Sequence, residues 1–159
     1  AVQLAIEELK RVSANIRKQF IPSVESNMST IISYITNGKY KAIRLTDEYK
    51  IQVFDSKAGR FLERDIFSGG TQDQFLLAMR LAFIISLMPQ TKGFYPKFLF
   101  LDEPFSSSDV QRRQNIVNLL SRLLSKTFEQ VIIITHVDIP IPKGSNQIYL
   151  RAGKLQTAF

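Results

Sequence analysis

Ser68-Gly69-Gly70-Thr71-Gln72 opens a long apolar run, and further on Phe98-Leu99-Phe100-Leu101 leads straight into Asp102-Glu103-Pro104, with Asp109 and His136 following in order. Each of these groups has a use in phosphate chemistry. A Ser-Gly-Gly turn at a helix start offers backbone N–H groups, a hydroxyl and the positive end of the helix dipole to an anion. Glycine lets the backbone approach that anion without a Cβ in the way. A carboxylate at the carboxyl end of a parallel strand lies where open α/β sheets place their ligands, which makes Asp102 the candidate magnesium holder. Glu103, beside it, is placed to polarise a water for in-line attack on a phosphoryl group. His136, the only histidine, follows a second apolar strand and can hydrogen-bond a terminal phosphate.

The elements that must position these groups can be read from periodicity. Phe98–Leu101 and Val131-Ile132-Ile133-Ile134-Thr135 read as buried parallel strands. Residues 71–88 read as a helix with Phe75, Leu76, Met79, Ala82, Phe83 and Leu87 inward, ended by Pro89, and Thr91 to Lys97 as a loop. Residues 109–125 read as another helix, with Asp109 as its N-cap and Ile116, Leu119, Leu120 and Leu123 inward. Arg112-Arg113 reads as a solvated face of that helix. Strand, helix and strand in succession give an α/β fold with a parallel sheet. Tyr40–Leu45 and Tyr49–Phe54 alternate around a Thr-Asp-Glu turn as an antiparallel hairpin, and Phe61–Ile66 reads as a short strand. A terminal pair of strands is expected near Ile148–Leu150 and through Leu155, around Ala152-Gly153. In residues 1–37, Leu9, Val12, Ile16, Phe20, Val24, Met28, Ile31 or Ile32, and Ile35 recur every three or four residues, a helical stripe stopped at Asn37-Gly38. Pro22 should divide or kink that helix.

Phe67-Ser-Gly-Gly-Thr-Gln72 resembles the signature motif of ABC-type ATPases, Phe98–Pro104 resembles Walker B, Ser106-Ser107-Ser108-Asp109 resembles the D-loop, and Thr135-His136 resembles the switch histidine. The likeness covers residues 38 to 155 and is closer to SMC and SbcC-type DNA-repair ATPases than to transporter ATPases, whose signature usually follows a helical subdomain. Phe67 stands for the usual leucine, Thr71 for a frequent Gln or Glu, and Ser108 for the common leucine of the D-loop; none of these removes a catalytic group. No Gly-x-x-x-x-Gly-Lys-Ser/Thr run is present, since Gly38-Lys39 and Gly153-Lys154 lack the upstream glycine and are followed by Tyr40 and Leu155 rather than Ser or Thr. The resemblance therefore implies the C-terminal lobe of a P-loop NTPase-like ABC ATPase head. Residues 1–37 would form the helical base of a coiled-coil arm, residues 38–159 the lobe, and the N-terminal Walker A lobe would be absent.

The resemblance also implies a mechanism and partners. ATP would bind between two heads, with Ser68, Gly69, Gly70, Thr71, Gln72 and Asp109 facing nucleotide, Asp102 holding Mg2+, and Glu103 and His136 acting catalytically. The partners would be the N-terminal lobe of the same protein, a second head, DNA and a nuclease, in DNA repair or chromosome maintenance. The isolated chain should be nearly inactive. Two other classes fit parts of the pattern: the ATPase of another ABC-type system such as a transporter, and a non-catalytic interaction module.

Composition is compatible with this. The 159 residues are 45% hydrophobic, which gives one domain with a core, and zero cysteines exclude disulfides and thiolate metal sites. No stretch approaches the ~20 apolar residues of a membrane span, and no signal-peptide pattern begins the chain, so a cytoplasmic, nucleoid-associated protein is expected. The net charge of +7 points to an anionic partner. Lys39, Lys41, Arg44, Lys50, Lys57, Arg60 and Arg64 concentrate much of that charge in one span.

Overall fold

The computed structural model describes residues 2–88, 97–105, 107–124 and 127–156, with the backbone alone for 123, 124 and 156. Helix α1 runs from Val2 to Ile35 without a break. Pro22 lies inside it, so the expected division does not occur: the proline removes one ladder hydrogen bond, and packing of the residues beyond it holds the helix in register. Val24, Met28, Ile31, Ile32 and Ile35 are buried, whereas Leu9, Val12 and Ile16 on the same stripe stay 50–70% exposed. The helix stops as the sequence requires: Asn37 and Gly38 take φ of 51° and 77°, and the Gly38 N–H bonds back to the Ser33 carbonyl at 2.7 Å.

Strands β1 (Ile43–Leu45), β2 (Ile51–Asp55) and β3 (Arg60–Glu63) form an antiparallel sheet in that order. The hairpin is present, and the expected 61–66 strand is shorter, giving way to a 3₁₀ turn at Arg64–Ile66. The edge strand β1 is covered by α1, whose Ser29 Oγ accepts the Ile43 N–H at 2.9 Å and whose Glu25 Oε1 accepts the Leu45 N–H at 2.6 Å. Side-chain acceptors from a helix thus close an edge that would otherwise be open to pairing.

Helix α2 (Gly69–Leu87) packs along α1, with Phe20 against Phe83 and with Ser23 and Asn27 bonded to the buried Ser86 hydroxyl at 3.2 and 2.8 Å. Its buried face differs from the expected one. Leu77, Ala78 and Leu81 are buried beside Phe75 and Ala82, while Leu76, Met79 and Phe83 are half-buried and Leu87 is exposed. An almost uniformly apolar helix has no strong stripe, so its neighbours choose which side is covered. Pro89 and residues 91–96 of the expected loop lie outside the described residues.

Strands β4 (Phe98–Asp102) and β5 (Gln130–Ile134) pair in parallel across helix α3 (Val110–Leu119), which ends in a π-helical turn at Leu120–Leu124. Ile116, Leu119 and Leu120 are inward as expected; the Leu123 side chain lies outside the described residues. Asn115 of α3 donates to the Ile35 carbonyl at 2.9 Å and to Asn37 Oδ1 at 3.0 Å, satisfying the C-terminal end of α1. The two strands are not buried on both faces. Leu99 is covered, but Phe98 and Phe100 are 55% and 53% exposed and Ile134 is 50% exposed, because no layer of the described residues packs on that side. Strands β6 (Tyr149–Arg151) and β7 (Lys154–Gln156) make a separate antiparallel hairpin.

Gln74 of α2 is 2% exposed, and neither amide atom of its side chain has a hydrogen-bond partner among the described residues. It lines a cavity of about 650 Å³ between α2 and β4. A buried amide left unpaired costs on the order of 1–3 kcal/mol. The nearly isosteric Gln74→Met should therefore raise the unfolding free energy of this chain by about 1–2 kcal/mol in urea denaturation; a loss of stability would show that the amide is satisfied in solution.

Candidate nucleotide site

Phe67, which precedes the signature turn, is fixed by rings. It meets Tyr40 and Phe75 edge-on with centroids 5.4 and 5.2 Å apart, which accounts for an aromatic residue where leucine is usual. Ser68 is the N-cap of α2, with φ −60° and ψ 150°, but its hydroxyl does not cap the helix; it pairs with Thr71 Oγ1 at 3.0 Å. Gln72 Nε2 reaches back to the Phe67 carbonyl at 2.8 Å. No described group accepts from the amides of Gly69 or Gly70, so the first turn of α2 keeps donors for an anion.

The two glycines differ. A Cβ on Gly70 would come within 2.6 Å of the Ser107 carbonyl oxygen, whereas one on Gly69 would meet nothing within 4 Å. Gly70 is thus required by the lobe itself, and Gly69 leaves open space at the helix start. Ser107 is further tied to α2 by its hydroxyl, which donates to the Asp73 carboxylate. Asp109 is the N-cap of α3, as expected, accepting the Arg112 N–H at 2.8 Å and pairing with the Arg112 guanidinium at 3.4 Å. Ser106 of the same loop lies outside the described residues.

The strand ends hold the acid–base groups. Asp102, the last residue of β4, is exposed and lines the cavity together with Glu103 and Arg80. Among the described residues no three His, Asp or Glu side chains gather to hold a metal ion. The donor present is the exposed Asp102 carboxylate, an oxygen ligand of the kind that holds magnesium together with substrate phosphates and water. Glu103 has a left-handed backbone, φ 47°, rare for a residue with a side chain and a mark of local strain. Its N–H bonds to the Ile134 carbonyl at 2.9 Å, which continues the parallel ladder by one step. Its carboxylate accepts from the Thr135 hydroxyl at 3.2 Å and from the His136 backbone N–H at 3.0 Å, and contacts His136 Nδ1 at 2.7 Å. The hydrogen bond from His136 lowers the Glu103 pKa most, opposed by partial burial and aided by Thr135. His136 itself is 73% exposed.

No protein-family model matches the chain. Its sequence is 33% identical over 147 residues to the DNA double-strand break repair Rad50 ATPase of Archaeoglobus fulgidus, a match covering 84% of this chain and 16% of that protein. It is also 30% identical over 132 residues to the SbcC component of the SbcCD nuclease of Bacillus subtilis, covering 77% of this chain and 11% of that protein. The chain belongs to the SMC/Rad50-type ABC ATPase heads. It spans about one-sixth or less of the curated relatives it matches. The fold agrees. A chain solved for the structural biochemistry of ATP-driven dimerization and DNA-stimulated activation of SMC ATPases superimposes with a TM-score of 0.64 at 19% identity, covering 89% of this chain and 86% of that one. The Pyrococcus furiosus Smc head domain with an extended coiled coil, bound to the C-terminal domain of ScpA, gives a TM-score of 0.54 at 17% identity over 84% of this chain and 33% of that one.

Within this SMC/Rad50-type lobe, the structure joins Glu103 to His136, and Gly70 to the D-loop, while no hydrogen bond among the described residues links the signature turn to the Glu103–His136 pair. Three contributors escape a sequence reading. Asp73 fastens Ser107, and Thr135, just beyond the end of β5, orients Glu103. Arg112 and Arg113 are not on a solvated face, both being half-buried, and Arg113 Nε donates to the Ser108 carbonyl at 2.9 Å and a terminal nitrogen to the Asp138 carbonyl at 3.2 Å. Its spacing of four from the Asp109 cap was the available signal, since helix neighbours share a side. The basic span is partly neutralised locally, Lys50 pairing with Glu48 and Arg64 with Asp65, while Arg44 keeps its charge and lies over the Phe61 ring. Lys41, Lys57 and Arg60 have no ion-pair partner among the described residues. No described helix is long and apolar enough to cross a membrane.

Gly70→Ala should destabilise the lobe by about 1–3 kcal/mol, the usual cost of forcing an atom into filled space, while Gly69→Ala should leave thermal and urea unfolding nearly unchanged. Equal stabilities for the two variants would remove the packing argument. Glu103 has a depressed folded pKa, so its contribution to stability is present above the unfolded value of about 4.3 and fades as pH falls through the lower folded value. In carboxyl NMR titrations, His136→Ala should raise the Glu103 pKa toward its ordinary range; an unmoved pKa would mean that the bond from the imidazole is not its cause.

Proposed function

We propose that this chain is the C-terminal lobe of an SMC/Rad50-type ATPase head, one that hydrolyses ATP at a head–head interface once an N-terminal Walker A lobe completes it. The observation that carries the reading is the Glu103 carboxylate, held at the end of a parallel strand by Thr135 and His136. Ionised and strained, it is prepared to orient a water and accept its proton. His136 would bond the terminal phosphate, and Asp102 would hold the magnesium through water. The metal, when bound with nucleotide, neutralises charge on the phosphates. In this reading Ser68 and the amides of Gly69 and Gly70 face the nucleotide of the opposing head, with Thr71 and Gln72 shaping the turn and Asp109 at the contact between heads.

Two surfaces support the missing parts. Parallel sheets are almost always covered on both faces, and the apolar face carrying Phe98, Phe100, Ile132 and Ile134 is bare here, as it would be with the N-terminal lobe removed. The exposed stripe of Val2, Leu9, Val12 and Ile16 has the spacing of a coiled-coil seam for a returning arm. Lys41, Lys57 and Arg60 offer phosphate contacts to DNA, and the SbcCD name of one relative supports a nuclease as a further partner. The whole protein would act in DNA repair or chromosome maintenance.

Joined to the N-terminal lobe from the same gene, the chain should hydrolyse ATP with magnesium, and Glu103→Gln should reduce turnover by about a hundredfold or more while nucleotide still binds. Ser68→Arg should abolish turnover by blocking the opposing head. The chain alone should turn over no ATP above background. Full turnover by the isolated chain, or unchanged turnover in Glu103→Gln, would overturn this assignment.

A further inference from the structure

We propose that Arg113 is a positioning residue that ties the D-loop to the switch-histidine segment within one head, so that a phosphate contact at His136 is felt at the signature turn of the same lobe. The two carbonyls it holds belong to segments outside regular structure: Ser108 immediately precedes the Asp109 cap, and Asp138 lies two residues beyond His136. A guanidinium is planar, with its donors in a fixed fork, so the two carbonyls keep a set separation and move together. A lysine could bond either carbonyl but could not hold both in one rigid frame. The far side of the loop is fastened too. Ser107 donates its hydroxyl to Asp73, and its carbonyl sits where a Cβ on Gly70 would be, leaving no slack between loop and helix start. The physical line therefore runs from His136 through Asp138, Arg113, Ser108 and Ser107 to Gly70. Close packing at its last step leaves the contact little compliance. If signature turn and switch histidine serve different nucleotides, as the proposed two-head reading holds, Arg113 is the link by which occupancy of one site is reported to the other.

The nucleotide in this inference rests on the site reading above, and the test separates the two. Hydrogen exchange would be measured on the complete head carrying Ser68→Arg, which removes contact with a second head, with and without a non-hydrolysable ATP analogue and magnesium. With Arg113 intact, exchange should slow in residues 136–139 and change in residues 107–110. In Arg113→Gln and Arg113→Lys the first response should persist and the second disappear. In two-head enzyme without Ser68→Arg, both variants should bind nucleotide within about twofold of the parent while the Hill coefficient of hydrolysis falls toward one, a change that simple loss of stability would not produce. A response in residues 107–110 that survives in either folded variant, or never occurs with Arg113 present, would overturn the coupling. No response in residues 136–139 with Arg113 present would sink the site reading and this inference with it.

Discussion

The register of one parallel strand pair is the constraint on which the site depends. Phe98 lies opposite Gln130 and Asp102 opposite Ile134, and the ladder continues one further bond from the Glu103 N–H to the Ile134 carbonyl. That step brings the Glu103 carboxylate within reach of the Thr135 hydroxyl, the His136 amide and the His136 ring. A slip of one residue would turn every side chain of one strand to the opposite face and separate the carboxylate from all three donors. The left-handed backbone at Glu103 is where the chain leaves the strand and turns the carboxylate back across the ladder's end, and three hydrogen bonds hold it there.

Around that pair the lobe is built by helices whose polar residues fix their contacts. The buried Ser86 hydroxyl joins α2 to α1, Asn115 closes the end of α1 from α3, and Ser29 with Glu25 seals the edge of β1. These contacts are directional, so they set how the elements sit where the apolar surface alone would allow sliding. The same lobe leaves its other apolar surfaces bare: one face of the parallel pair and the outer stripe of α1. Among the described residues nothing covers that face of the parallel pair, and the chain matches only a short part of the length of its relatives.

Several outcomes differ from what periodicity alone supports, and each has a local cause. Pro22 does not break α1, because the buried side chains from Val24 onward hold the helix against α2 and α3 while one backbone bond is lost. The inward face of α2 is turned from the expected one, because a helix that is apolar on most sides takes its orientation from its neighbours. The paired strands β4 and β5 are covered on one face only by the described residues, a property of what else is present rather than of their own sequence. Arg112 and Arg113 are both half-buried, and what sets Arg113 apart is that it bonds two carbonyls from segments far apart in the chain.

The sequence by itself determined the order and type of the chemical groups: a Ser-Gly-Gly turn before a helix, an Asp-Glu pair ending an apolar strand, a capping Asp109 and a histidine ending a second strand. These were legible because short-range rules govern them. A glycine pair, an N-cap and a hydrophobic run announce themselves within a few residues. Only the tertiary structure decided which of those groups meet. The pairing of Glu103 with His136, the closure of Gly70 on Ser107, the Asp73 fastening and the Arg113 bridge all join residues well separated along the chain, and such contacts depend on strand register and helix packing that no local pattern encodes.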